Sequence, residues 1–211
     1  MVDTDSLEKL FINAFPDLDQ PGQQQALQLY LLLAKGENVS IDLLASTLNL
    51  STDDTEQLLT SWTGVSFNEQ GLIDGFWGIS TKETSHRFVV NQTTLYTWCA
   101  WDLLFMPIIY QQTIKAATTC PVSGHTIELT ITPDGIEKAK PDTAMITFIK
   151  PSLEKIKEDV TGSFCQYVFF VDSEETGHQW QQQRSDGFLL NLKQGFNLGK
   201  KIIQQVFIDI Q

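Results

Sequence analysis

The hydrophobic residues of this chain change their period near residue 64, and that change limits the fold more than any bulk property does. Before it, Leu7, Leu10, Phe11 and Phe15 recur three or four apart and stop ahead of Pro16, while Ala26, Leu27, Tyr30, Leu31 and Leu33 carry the same period up to Gly36. A third helix is predicted after Ser40 with Leu43, Leu44 and Leu48 inward. A fourth comes after Ser51, whose hydroxyl can cap it ahead of Leu58, Leu59 and Trp62. Beyond it, VSFNEQGLIDGFWGI holds two alternating runs broken at Asn68, Gln70 and Gly71, the mark of a β-hairpin. Short helices and then a hairpin draw the outline of a winged helix-turn-helix.

That outline invites a DNA-binding reading, which the charge opposes. Residues 1–80 hold two strong bases, Lys9 and Lys35, against twelve acids, and the whole chain carries a formal charge of −12. A phosphate backbone would be repelled by such a surface. The helical lobe is therefore expected to be structural, a cover for the C-terminal part of the chain, and nucleic acid is not expected as a partner. The chain has 211 residues, 42% of them hydrophobic, enough for one well-buried domain or two small ones. No run approaches the roughly 18 apolar residues of a membrane span, and the start MVDTDSLEKL lacks a basic segment leading into an apolar one. A soluble, cytoplasmic protein with no membrane partner is expected. Three cysteines, an odd number, make no disulfide framework and suit a reducing compartment.

From His86 onward the pattern is mixed. HRFVV reads as a strand, and Thr93 or Thr94 can cap a helix running through Tyr96, Cys99, Leu103 and Phe105 to an end near Pro107. IKAATT and HTIELTIT read as two strands joined at CPVSG, and TAMITFIK as another. Pro151 fits the first turn of a helix through Ile156, SFCQYVFFVD reads as a buried strand, and Ser173 can cap a helix containing Trp180. GFLLNL is a short strand before a last helix from about Gln194 to Phe207. The expectation is an α+β fold: a winged-helix-like lobe over residues 1–80, packed on a mixed or antiparallel sheet core with flanking helices over residues 81–211.

The residues with chemical potential lie in the second part. If Cys99 and Asp102 share a helix, a spacing of three puts them on one face with β-carbons roughly 5 to 6 Å apart. A thiol has an ordinary pKa of about 8.5. A helix N-terminus lowers it, a neighbouring carboxylate raises it, and such a pair should share a proton. The plain alternative is a small core residue, because cysteine is among the most buried residue types. The same alternative holds for Cys165. Asp102 shifts the balance, since Leu95, Tyr96, Trp98, Trp101, Leu103, Leu104, Phe105 and Met106 leave little but apolar surface around it, and a buried carboxyl is costly unless paired. Cys120 and His125 lack the further ligands of a zinc site, so Cys120 reads as structural. His86 and His178 read as surface residues. No Ser, His and Asp set, phosphate-cradling glycine loop or HExxH is evident.

Taken together, LYTWCAWDLLFMP, ATTCPVSGHTIELTITPDGI and SFCQYVFF resemble the bacterial organomercurial lyases, also called alkylmercury lyases. The likeness extends over nearly the whole chain and is most specific between Ile79 and Asp172. It implies an enzyme that cleaves carbon–mercury bonds by protonolysis, giving a hydrocarbon and Hg²⁺ in mercury detoxification. The family's first catalytic cysteine falls on Cys99 in its Trp98–Ala100 context, the catalytic aspartate on Asp102, the second cysteine on Cys165 after Ser163 and Phe164, and a structural cysteine on Cys120. Cys99, Cys165 and Asp102 would hold the mercury of substrate and product, with Trp98, Trp101, Phe105 and Phe164 as pocket walls. Small thiols would be needed for turnover and a mercuric reductase would take the Hg²⁺, with no resident cofactor. Two departures stand out: Trp101 replaces a smaller apolar residue, which could narrow the pocket, and Gln166 stands where some members carry a further cysteine.

Two rivals use the same residues without cleavage. A mercury-responsive regulator is opposed by the acidic lobe, and a mercury-binding buffer would not need Asp102. A thiol–disulfide enzyme is weaker still, because no CxxC exists.

Overall fold

The computed structural model describes residues 4–207. Four helices open the chain: α1 (Thr4–Ala14), α2 (Gln20–Leu33), α3 (Ile41–Leu48) and α4 (Thr52–Ser61). Their starts are set by side chains that take up otherwise unpaired amide hydrogens. Asp19 accepts from Gly22 N, Ser40 from Leu43 N, and Ser51 from Asp54 N. Gly36 comes after α2 at φ +81°, and Asn49 ends α3 in the left-handed conformation. Leu44 is buried as expected, whereas Leu43 points to solvent.

The expected hairpin forms from β1 (Val65–Phe67) and β2 (Ile73–Phe76), with Asn68 Oδ1 accepting from Gln70 N and Leu72 N across the turn. These strands do not stand apart as a wing. Through β3 (Ile79–Ser80) they join β4 (Arg87–Val90), β5 (Thr93–Thr97), β6 (Ile114–Thr119), β7 (Thr126–Thr132) and β8 (Gly135–Lys140). The result is one eight-stranded sheet, ordered β1-β2-β3-β5-β4-β6-β7-β8, with every neighbouring pair antiparallel. Position 80 lies inside this sheet, at the end of β3. Strand β8 carries little sequence signal, because GIEKAK has no clear apolar alternation and its residues are half-buried or exposed.

A second sheet of three strands, β10-β9-β11, is built from β9 (Met145–Ile149), β10 (Phe170–Val171) and β11 (Gly187–Asn191). Around the two sheets lie α5 (Asp102–Tyr110), α6 (Leu153–Glu158), α7 (Val160–Ser163), α8 (Glu174–Gln182) and α9 (Leu192–Val206). Capping boxes open α8 at Ser173 and α9 at Asn191. Pro151 sits ahead of the α6 cap, Ser152, rather than in its first turn. Every residue of α5 is buried. Against it packs α9, whose buried face repeats every three or four residues and includes Gly195 and Gly199. A β-carbon at Gly195 would lie 3.1 Å from Leu104, and one at Gly199 would lie 3.2 Å from Phe105. The two glycines let α9 close onto α5.

Three larger expectations from the sequence also need correction. Residues 93–101 are not helical: Asn91 and Gln92, both at positive φ, turn β4 into β5, and the helix starts only at Asp102. Threonine and tyrosine favour a pleated surface, and Leu95 and Thr97 alternate inward across TTLYT, so the two-residue period wins. The helix also passes through Pro107 to Tyr110. An interior proline costs about 3 kcal/mol, but burial on all sides of α5 holds it helical. Finally, SFCQYVFFVD is a strand only at Phe170–Val171, while Cys165 opens a one-turn 3₁₀ helix, Cys165–Tyr167.

Candidate active site

Cys99 lies in the link between β5 and α5, and Asp102 is the first residue of α5. The link is tied on three sides. Thr97 Oγ1 donates to Cys99 O at 2.8 Å, Trp98 N donates to Gly78 O at 2.9 Å, and Ala100 N donates to Val168 O at 3.2 Å. The last bond joins it to the exit of the 3₁₀ turn that carries Cys165. That turn is held in its own right, because Val168 N returns to Cys165 O and Thr147 Oγ1 donates to Tyr167 O.

Cys99 and Asp102 therefore meet through a backbone turn, not along a helix face. The Cys99 N–H donates to Asp102 Oδ2 at 2.8 Å. The folded chain then brings in the distant partner: one Sγ from Cys99, one from Cys165 and one carboxylate oxygen of Asp102 all lie within 4.8 Å of one another. Relative exposures are 0% for Cys99, 5% for Asp102 and 4% for Cys165, so the cluster is closed to bulk water.

Burial sets the protonation of all three. It pushes the Asp102 carboxyl up to about 7, against the pull of hydrogen bonds from the Cys99 backbone and thiol. It holds the Cys99 thiol well above its ordinary range, helped by the Cys165 thiol and the Asp102 charge. For Cys165 the strongest single influence is a hydrogen bond with Cys99 that lowers it. Burial and the charges of Asp102 and Asp159 outweigh that bond and leave it raised. Near neutral pH the resting site holds two protonated thiols beside a carboxyl close to half-protonated. Soft sulfur donors at this spacing suit a soft thiophilic cation, and the carboxyl can take or give one proton.

Three of the four residues expected as walls pack on one another. The Trp101 ring lies 5.5 Å from Phe105 and 6.1 Å from Phe164 by centroids. Its indole N–H donates to Gly195 O at 2.9 Å, so the only polar atom of that wall is satisfied. Trp98 is placed differently: half-buried, it packs on Gly75 of β2 and makes no ring contact with Trp101, Phe105 or Phe164 among the described residues. Two further rings join this aromatic cluster without a signal in the sequence. Phe11 of α1 lies 4.6 Å from Trp101 and 4.9 Å from Phe164, and Phe148 of β9 lies 5.4 Å from Trp101 and 5.6 Å from Phe164. Each reads locally as an ordinary core phenylalanine.

Cys120 is buried away from this cluster, its Sγ accepting from Ser123 N at 3.5 Å. His86, expected at the surface, is 3% exposed and paired with Thr118 at 3.0 Å, and burial lowers its pKa to about 4. His178 is exposed as expected. A serine, a histidine and an aspartate do converge elsewhere: Ser123 Oγ donates to Asp172 Oδ2 at 2.6 Å, and His125 Nδ1 lies 2.9 Å from the same oxygen. Nucleophilic catalysis needs the imidazole between hydroxyl and carboxylate. Here the carboxylate stands between the other two.

Among the described residues, no helix is long and apolar enough to cross a membrane. Comparison with known proteins agrees with the resemblance read from the sequence. Residues 79–204 match the family model for alkylmercury lyase. The chain is 30% identical over 172 residues to an alkylmercury lyase of Bacillus cereus, covering 82% of this chain and 77% of that one. It is 30% identical over 177 residues to one of Pseudomonas putida, covering 84% and 82% respectively. Its fold superposes with a TM-score of 0.82 at 17% identity on a solved structure described as the mercury-bound form of MerB2, covering 96% of this chain and 99% of that one. With the family model spanning most of the chain and the relatives matching along its length, this protein belongs to the alkylmercury lyase family.

Proposed function

We propose that the protein cleaves the carbon–mercury bond of organomercury compounds by protonolysis, and that Cys99, Cys165 and Asp102 carry the reaction. The observation behind this reading is the meeting of two thiols and one carboxyl, from sequence positions far apart, in a cluster buried from solvent. Substrate arrives as R–Hg–SR′, the form in which small thiols carry it. Exchange with the Cys99 thiol gives R–Hg–S–Cys99 and releases HSR′. The Cys165 thiol then passes its proton to the Asp102 carboxylate, and its sulfur adds to mercury. With two sulfurs bound, electron density shifts onto carbon, and Asp102 delivers the same proton to it. The carbon–mercury bond breaks, R–H leaves, and Hg²⁺ remains on the two sulfurs. Protons and electrons balance, because the proton gained by carbon is the one lost by Cys165.

Each residue suits its step. A carboxyl near 7 gives up a proton more readily than a thiol and holds one more firmly than an exposed aspartate. Trp101, Phe105, Phe164, Phe11 and Phe148 exclude water, which would otherwise compete as proton source and weaken the local electrostatics. Because Cys99, Asp102 and Cys165 are all buried, entry of substrate requires a local movement of the protein around them. In the cell this chemistry would serve mercury detoxification in the cytoplasm, with small thiols or a mercuric reductase drawing Hg²⁺ off the two sulfurs and no resident cofactor.

The decisive measurement is benzene release from phenylmercury in excess thiol. Wild type turns over; Cys99→Ser and Cys165→Ser do not. Asp102→Ala binds phenylmercury yet releases benzene about a thousandfold more slowly, as expected for loss of a positioned proton donor. Full activity in Cys165→Ser would refute the two-thiol scheme and leave a single-cysteine mercury binder as the better account.

A further inference from the structure

Asp102 is anchored on the backbone by a hydrogen bond from Cys99 N, and a carboxyl so held could still turn away from the sulfurs. The backbone of Gly78, in the turn between β2 and β3, packs directly against that side chain. A β-carbon built on Gly78 would lie 2.9 Å from Asp102 Cγ and 3.0 Å from its Cβ and Oδ1, so that a side chain there would force the carboxyl or the turn to shift. The residue has φ +98°, a conformation that favours glycine on its own account. Its carbonyl also receives Trp98 N, so the same peptide touches both the cysteine link and the carboxyl.

The turn itself is strained and gripped from the helical lobe. Trp77 stands at φ +31°, rare for a bulky residue and kept only where the surroundings impose it. Its carbonyl accepts the hydroxyl of Tyr30 of α2 at 2.8 Å, and its indole N–H donates to Thr63 O at 2.8 Å. Its ring stacks on Phe15 at 3.9 Å between centroids, and its own N–H donates to Gly64 O at 3.1 Å. Tyr30 is fully buried, and it holds the turn through Trp77.

We propose that the Trp77–Gly78 turn, gripped by Tyr30 and Thr63, is a positioning element for the protonation step, wedging the Asp102 carboxyl in its orientation toward Cys99 and Cys165. It rests on the reading of Asp102 as proton carrier. Under it, the acidic helical lobe takes part in the protonation step through the backbone turn that it holds. The lobe supplies the hydroxyl and carbonyls that fix the turn, and the turn fixes the acid.

Two variants test this, Tyr30→Phe and Gly78→Ala, with two readouts on each: stoichiometric capture of phenylmercury, and benzene release in a single turnover. Tyr30→Phe deletes one hydrogen bond to the turn and should capture phenylmercury as wild type does while releasing benzene about fivefold more slowly. Gly78→Ala pushes directly on the carboxyl and should slow release about a hundredfold with capture retained. If Gly78→Ala does not fold by circular dichroism, Tyr30→Phe decides alone. Benzene release at the wild-type rate in Tyr30→Phe overturns the proposal. So does a parallel loss of capture and release, which would mark general disruption instead of a misplaced acid. A wild type that captures phenylmercury and releases no benzene brings down the lyase reading itself, and this proposal with it.

Discussion

Asp102 and Asp172 are one kind of side chain placed in two kinds of pocket. Asp172 is surrounded by donors: Ser123 and His125 at Oδ2, and Thr176 Oγ1 at 2.7 Å from Oδ1. The Ser123 hydroxyl most of all, then Thr176 and His125, hold its carboxyl down at about 2 against the effect of burial. Asp102 has a single backbone N–H and two thiols, and burial drives it the other way, to about 7. Burial raises a carboxyl unless hydrogen bonds answer it. A carboxylate with a full set of donors becomes a fastener, here pinning the Cys120–His125 turn to the start of α8. One left short of donors keeps its proton up to the neutral range.

Stability against pH separates the two carboxyls most sharply. Asp102 has a folded-state pKa above its unfolded value of about 3.9. The folded chain therefore holds the proton more tightly. Its contribution is fully present below about pH 4 and is lost as pH rises through 7. Asp102→Asn, which keeps an acceptor for Cys99 N and cannot ionise, should match wild type near pH 4 and exceed it at pH 8 by up to about 4 kcal/mol. Urea unfolding across that range reads the difference, and parallel curves would show that burial does not strain Asp102. Asp172→Asn should do the reverse. Its folded pKa is depressed, so its stabilisation is present above about pH 4 and is lost as pH falls toward 2. The variant should lose about 2 kcal/mol at neutral pH and nothing near pH 2, with benzene release per folded molecule unchanged. The smallest effect belongs to Cys120→Ser, a buried thiol in the turn that Asp172 pins. About 1 kcal/mol of stability should go, with cleavage intact; a loss of cleavage there would mean the two clusters communicate.

The site is more legible in the sequence than the structure around it. Thiol softness, a carboxyl among tryptophans and the resemblance of three short stretches single out Cys99, Asp102 and Cys165. The local structure expected for them differs from the one observed in both places. A spacing of three serves a helix face and a hydrogen-bonded turn equally well, and the apolar surroundings of Cys99 hide the two-residue period of TTLYT. The meeting of Cys99 with Cys165 is a tertiary fact that depends on Ala100 binding Val168 and Thr147 binding Tyr167. Phe11 and Phe148 carry no local sign of their packing on Trp101 and Phe164, and Asp172 none of its donors, which come from both sides of it in sequence. The helical periods, caps and hairpin of the first lobe are plain in the sequence, because each depends on residues within a few positions of one another.

The eight-stranded sheet runs without a break across the junction between lobe and core. Dissecting the chain after Ser80 would strip β3 from β5, baring a row of amides ready to recruit strands from other molecules. Anyone seeking a smaller mercury-processing module from this scaffold should shorten its loops and leave that seam uncut.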